Sequence, residues 1–282
     1  MAGVVLVTAG ACSSNSTASG GNNGASVNGN DPNSIMAAVV GNGSQIKSFH
    51  IKIAATGTIK SAALADTGSS TSLSGDLKLD GATIEGDVDV TNAATHLTFS
   101  LPAVPVSADM SVPISGDIIV VNKVAYYKVV LTGATGTKYT KMDLSSSLGS
   151  ITALSSSLPV AAKSAGASAM TPSALQSALA QAGVTSKVVG VDQIGGQDAY
   201  HIAFTLPLSI INAGLSSQAS GSSMKIDTLG LDVWVYKNNN RPAKAELKEG
   251  STTVGDIDLT VTVTDYDKSV TVNAPAAGDV TP

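Results

Sequence analysis

Among the residues that could do chemistry, Cys12 is the chain's single cysteine, so it can form no intramolecular disulfide and no multi-cysteine metal site. It follows Ala9, Gly10 and Ala11 at the end of the stretch MAGVVLVTAGAC. A short apolar run closing on small residues just before a cysteine has the form of a bacterial lipoprotein signal, although the usual positive start is missing and the first lysine is Lys47. The chemistry expected at Cys12 is cleavage before it and acylation of its thiol. That would tether the chain outside the cytoplasm, on the outer face of a bacterial cell membrane.

The other candidates do not converge on a reaction. His50, His96 and His201 lie far apart, each in or beside an alternating segment, without the spacing of a metal-binding pair. No nucleophile elbow, phosphate loop or dinucleotide fingerprint follows a strand-like run. Glu85, Asp87 and Asp89 stand at every second position and so project from one face of a strand. Calcium sites draw about six to eight oxygens from loops, so this trio reads as a solvated outer face, and Asp256 with Asp258 reads the same way. Trp234 beside Tyr236 fits outer-face packing better than a binding rim. The expectation is no catalytic residue, no metal site and no cofactor.

These residues sit in a chain of 282 residues that is 43% apolar and only 13% charged, with a mean hydropathy of +0.23. The net charge is -5, and the 16 Lys and Arg residues are scattered. No basic stripe exists to neutralise a row of phosphates, which argues against nucleic acid as a partner. No run approaches the ~20 apolar residues of a spanning helix. Residues 13–30, SSNSTASGGNNGASVNGN, are almost wholly Ser, Gly, Asn, Thr and Ala, and bury too little apolar area to offset their ordering entropy. As a flexible coil they would reach roughly 25 Å. The expected organisation is a signal remnant over 1–12, a linker over 13–30 and one folded domain over 31–282.

In that domain, Asp31 is placed to cap a helix with Pro32 at its first position, and Ile35, Met36, Val39, Val40 and Ile46 could form its apolar stripe. After Ser48 the pattern changes to period-two alternation, the signature of half-buried strands. It recurs around Ile51, Leu77, Ile84, Leu97, Ile202, Leu231, Ala245 and Ile257, across 114–121 and 125–131 on either side of Asn122-Lys123, and in a closing pair, Val270 and Val272. Residues 143–158 and 171–182 have helical spacings; in the second, Leu175 and Leu179 share a face and Gly183 is a natural stop. The fold class expected is α+β, a large curved antiparallel sheet of about ten strands, a half-barrel, wrapping a few helices.

Several segments carry a likeness beyond pattern. They are Lys47-Ser48-Phe49-His50, the run from Gly190 to His201 (GVDQIGGQDAYH), Val233-Trp234-Val235 with Arg241-Pro242, and the run from Tyr266 to Pro275 (YDKSVTVNAP). In this order they resemble the mycobacterial lipid-carrier lipoproteins of the LppX, LprA, LprF and LprG group, with the LolA-like fold, over about Ile35 to Pro282. Ser269 departs from a frequent family proline, and 145–169 is unusually rich in Ser and Ala.

The resemblance implies a sheet enclosing an apolar cavity for the acyl chains of a glycolipid or phospholipid, no catalytic motif, and an envelope exporter or acceptor protein as a partner. The inward-facing residues expected to line the cavity are Ile51, Ile53, Leu77, Leu79, Val88, Phe99, Val120, Ile202, Phe204, Val233, Leu259 and Val261. Two other classes stay open: a module that senses envelope lipids or lipoproteins and signals to a partner, and a structural surface protein with a filled core.

Overall fold

The computed structural model describes residues 27–61, 63, 75–107, 110–131, 137–144, 172–209, 212 and 225–281. Cys12 and most of the expected linker lie outside these residues. So do nearly all of the expected helix over 143–158 and Leu73, the first apolar residue of the expected alternation around Leu77.

The first element is helix α1, Pro32–Gly43, which starts where the sequence places its cap. Asp31 has extended dihedrals, its carboxylate accepts the Asn33 amide at 3.0 Å, and Pro32 needs no amide partner in the first turn. Twelve strands follow: β1 Ser48–Ile59, β2 Leu77–Lys78, β3 Ala82–Asp89, β4 Ala94–Ser107, β5 Met110–Val121, β6 Val124–Leu131, β7 Thr140–Asp143, β8 Thr185–Ile194, β9 Gln197–Thr205, β10 Thr228–Tyr236, β11 Pro242–Ser251 and β12 Gly255–Thr264. A second helix, α2 (Pro172–Gln181), lies between β7 and β8. It stops at Gly183, whose φ of 65° suits a left-handed C-terminal residue.

All twelve strands belong to one open antiparallel sheet, in the order β7-β6-β5-β4-β3-β1-β12-β11-β10-β9-β8, with the short β2 paired to β1. Most neighbours are joined by tight hairpins. Asn122 and Lys123, both at positive φ, turn β5 into β6 as expected for a two-residue loop that matches strand twist. The long closure is between β1 and β12, first and last in the chain, which pair from His50↔Thr264 to Ile59↔Gly255. Near the β2 corner Gly57 has φ +107°, and a Cβ there would stand 2.1 Å from the Asp256 carbonyl oxygen, so the position needs glycine.

Three expectations are corrected. Asp143 does not begin a helix: it ends β7, opposite Val124, with Met142 opposite Ala125. The segment 185–194 forms the long edge strand β8, absent from the expected list because Val188-Val189-Gly190-Val191 breaks alternation where the register shifts between Val188 and Gly190. Val270 and Val272 are not in a strand. After β12 the chain turns at Asp265 and Asp267, both at positive φ, and the Asp267 carboxylate accepts the Lys47 amide at 2.8 Å. The tail then crosses to Tyr139, which it meets in a parallel bridge at Val280.

Candidate functional site

Directly paired residues of an antiparallel sheet share a face, and so do residues two apart. Starting from Ile53, the pairs run to Val261, Ala245, Val233, Ile202 and Val188 on one side, and to Ile84 and Phe99 on the other. Ile51, Val88, Phe204 and Leu259 are two or four positions along the same strands, and Val120 joins through Thr95, the partner of Val88. Leu77 pairs with Ile59 at the β2 corner, and Leu79 beside it is buried. The expected lining residues on the long strands thus share one aliphatic face. Phe99 lies on it over Gly116, where its ring occupies the place of a side chain: a Cβ on Gly116 would be 2.7 Å from the ring.

The two ends of this face differ. Over β8–β10 it is covered by α1, so that Ile35, Ile202 and Val235 have no exposed surface. Met36, Val39, Val188, Tyr200, Phe204 and Val233 pack around them. Ile202 is therefore buried beneath a helix, with Phe204 and Val233 half-buried against the same cluster. At the other end, β6 and β7 present Tyr127, Val129, Leu131 and Met142 at 40–48% exposure. The register places all four on the same apolar face, through Ile118, Gly116, Ile114 and Ala125.

One residue of this face does not fit its chemistry and was not singled out from the sequence. Glu249 stands on β11 between Leu229 of β10 and Ile257 of β12, in the register of Ala245 and Leu247. Burial pushes its carboxyl above the ordinary carboxylate range. The signal was present as the pattern Ala245-x-Leu247-x-Glu249, a carboxylate in an apolar register.

The opposite face is polar. His50 Nδ1 lies 2.8 Å from Asp87 and its Nε2 3.3 Å from Glu85, which also pairs with Lys52 at 3.0 Å. Burial opposes the charge on His50, but the hydrogen bonds and charges of Asp87 and Glu85 outweigh it and raise its pKa. Farther along, Lys128 meets Asp117 at 2.8 Å. Burial again opposes the charge on Asp117, while Lys128 and His96 hold its carboxyl below the usual range. A groove of about 370 Å³ lies here, lined by residues that include Thr83, Glu85, Thr98, Ser115, Asp117 and Lys128. This concavity opens on the polar face, not the aliphatic one, and its cation is already paired.

Also on the polar face, His201 stacks on Trp234 at 4.3 Å between Asp192 (3.2 Å) and Asp232 (2.7 Å). The indole N–H donates to Asp192 at 2.8 Å, and Trp234 and Tyr236 are buried with Ala199 and Ala243. Trp234 and Tyr236 thus form a small outer core, as the sequence favoured. Glu85 and Asp87 project to this side, opposite Ile84 and Val88. Among the described residues no group of three His, Cys, Asp or Glu is arranged to hold a metal ion, and no helix is long and apolar enough to cross a membrane.

Together these features define an open-sheet α+β protein with one aliphatic face, partly roofed by a helix, and one ion-paired face. No family model matches the chain, and no curated protein matches it. Among solved structures it is similar to the lipoprotein LppX of Mycobacterium tuberculosis, with 17% identity, 86% of this chain and 97% of that chain covered, and a TM-score of 0.45. It is also similar to LprF of Mycobacterium bovis, with 14% identity, 87% and 97% coverage, and a TM-score of 0.44. A third similarity is to the MucA/MucB complex structure of Pseudomonas aeruginosa, with 12% identity, 87% and 58% coverage, and a TM-score of 0.28. These are likenesses of fold at low sequence identity.

Proposed function

We propose that the chain binds the acyl chains of a glycolipid or phospholipid on its aliphatic face and carries that lipid at the bacterial envelope, held to the membrane by a lipid on Cys12. One observation carries the reading: the aliphatic face continues past the part roofed by α1 into Tyr127, Val129, Leu131 and Met142, which remain 40–48% exposed among the described residues. Contiguous exposed apolar surface of this kind marks a binding site more often than it marks idle surface. Its aliphatic character suits methylene chains rather than bases or sugars, which stack on aromatic platforms.

The energetics suit a carrier. Each buried methylene contributes about 0.8 kcal/mol, so a face that takes ten or so competes with a bilayer. No reaction is needed, and binding with release is the whole activity in this reading. An envelope exporter or acceptor protein would take part in loading or unloading.

The test is uptake of a fluorescent diacyl lipid from vesicles by the full chain and by the double variant Val129→Asp, Leu131→Asp. Two charges in the path of an acyl chain, each costing about 1 kcal/mol or more of lost apolar contact, should lower uptake by roughly tenfold or more. Both positions are half-exposed, so the melting temperature should change little. Unchanged uptake by the double variant would count against this face as the lipid site.

A further inference from the structure

The aliphatic face is almost free of charge. On the described strands, following the pairs outward from Ile53, the positions that share this face are Val, Ile, Leu, Ala, Gly, Phe, Tyr, Met, Thr, Ser and Gln, with two acids. One of these, Asp198, sits at the tip of the β8–β9 hairpin and pairs with Lys237 at 3.8 Å. The other is Glu249, within the body of the sheet.

Around Glu249 the same face holds Leu229, Leu247 and Ile257, and no described side chain forms an ion pair or hydrogen bond with its carboxyl. A carboxylate held on an apolar surface without a counter-charge costs stability, because desolvation disfavours its charged form. A desolvated carboxyl on an apolar surface is a candidate contact for a ligand that supplies the missing partner.

We infer that Glu249 holds the polar end of the bound lipid and selects headgroups that offer O–H or N–H donors over headgroups that offer none or are anionic. The inference rests on the lipid-binding reading above. A carboxylate accepts hydrogen bonds through two oxygens and donates none, so it matches a sugar hydroxyl or an ammonium group and repels a bare phosphodiester. The acyl chains then extend along the aliphatic strands away from β11, and the carboxyl sets which lipid enters.

The experiment offers the full chain four dioleoyl lipids in separate vesicles: galactosyl diacylglycerol, phosphatidylethanolamine, phosphatidylcholine and phosphatidylmethanol. Lipid captured is counted by native mass spectrometry for wild type, Glu249→Leu and Glu249→Gln. Wild type should take one or both donor-bearing lipids at least fivefold over the other two; which of the two leads tells hydroxyl from ammonium recognition. Glu249→Leu should bind all four within twofold of one another, with total capture kept. Glu249→Gln, which keeps a carbonyl acceptor and loses the charge, should keep any preference for hydroxyls and admit phosphatidylmethanol. If wild type and Glu249→Leu show the same preference, Glu249 is no selector, while lipid binding stands. If wild type captures none of the four, the lipid-binding reading fails and this inference with it.

Discussion

At His50, two carboxylates decide the charge of one ring. Asp87 and Glu85 approach its two nitrogens at 2.8 and 3.3 Å, and together they raise its pKa against the opposing effect of burial. A raised pKa means that the protonated ring is favoured in the folded state. The stabilisation is fully present below the ordinary histidine value of 6.5 and is lost as pH rises through the higher folded value. Replacing His50 by Gln should therefore cost more stability at pH 5.5 than at pH 9, by up to about 1 kcal/mol for a partly exposed site. Chemical denaturation at the two pH values measures it, and an equal cost at both would show that the two acids do not act on the ring. Glu249 presents the reverse case: burial raises an acid, so its charged form costs stability at neutral pH and not at low pH. Its place in the register Ala245-x-Leu247-x-Glu249 is readable in the sequence, but period-two alternation is a signal of apolar residues, and a lone acid in that register does not reveal its burial.

At the scale of elements, α1 links a local signal to the core. Asp31 caps it, Pro32 starts it, and Ile35 reaches zero exposure against Ile202 and Val235. Asp31→Ala should remove the acceptor for the Asn33 amide and cost about 1 kcal/mol, seen as a lower melting temperature. An unchanged melting temperature would mean that packing alone holds the helix. The cap and the two faces of most strands were legible, because Asp-Pro before an apolar run and period-two alternation are local signals. What was not legible has physical reasons. Thr140–Asp143 is too short and polar to alternate, and becomes β7 only through Val124 and Ala125 across from it. The bulge beside Val189 hides β8. The roofing of Ile202, Phe204 and Val233 by α1 depends on contacts more than 150 residues apart in sequence, which no window over the chain can see. Ile202, Phe204 and Val233, expected to line a cavity, pack with residues of α1; the exposed Tyr127, Val129, Leu131 and Met142, three of them on a segment read only as a strand and one on an unforeseen strand, were not in the expected lining.

The whole molecule is a sheet with two chemistries. Its polar face is laced by pairs such as Lys52–Glu85 and Lys128–Asp117 and bears a small aromatic core at Trp234, which keeps it compatible with water. Its aliphatic face is covered by α1 at one end and, among the described residues, is open at the other and carries one carboxylate without a charged partner, Glu249. That asymmetry is what a carrier of amphipathic molecules requires, with apolar area for chains and an acceptor for a headgroup. The measurement that tests this most directly is native mass spectrometry, with organic extraction, of the full chain purified from a bacterial envelope without delipidation. The account predicts a discrete added mass that extraction resolves into a diacyl or polyacyl lipid at about one per chain. A preparation that is folded, shows only the mass of the protein with any Cys12 modification, and yields no extractable lipid would contradict it.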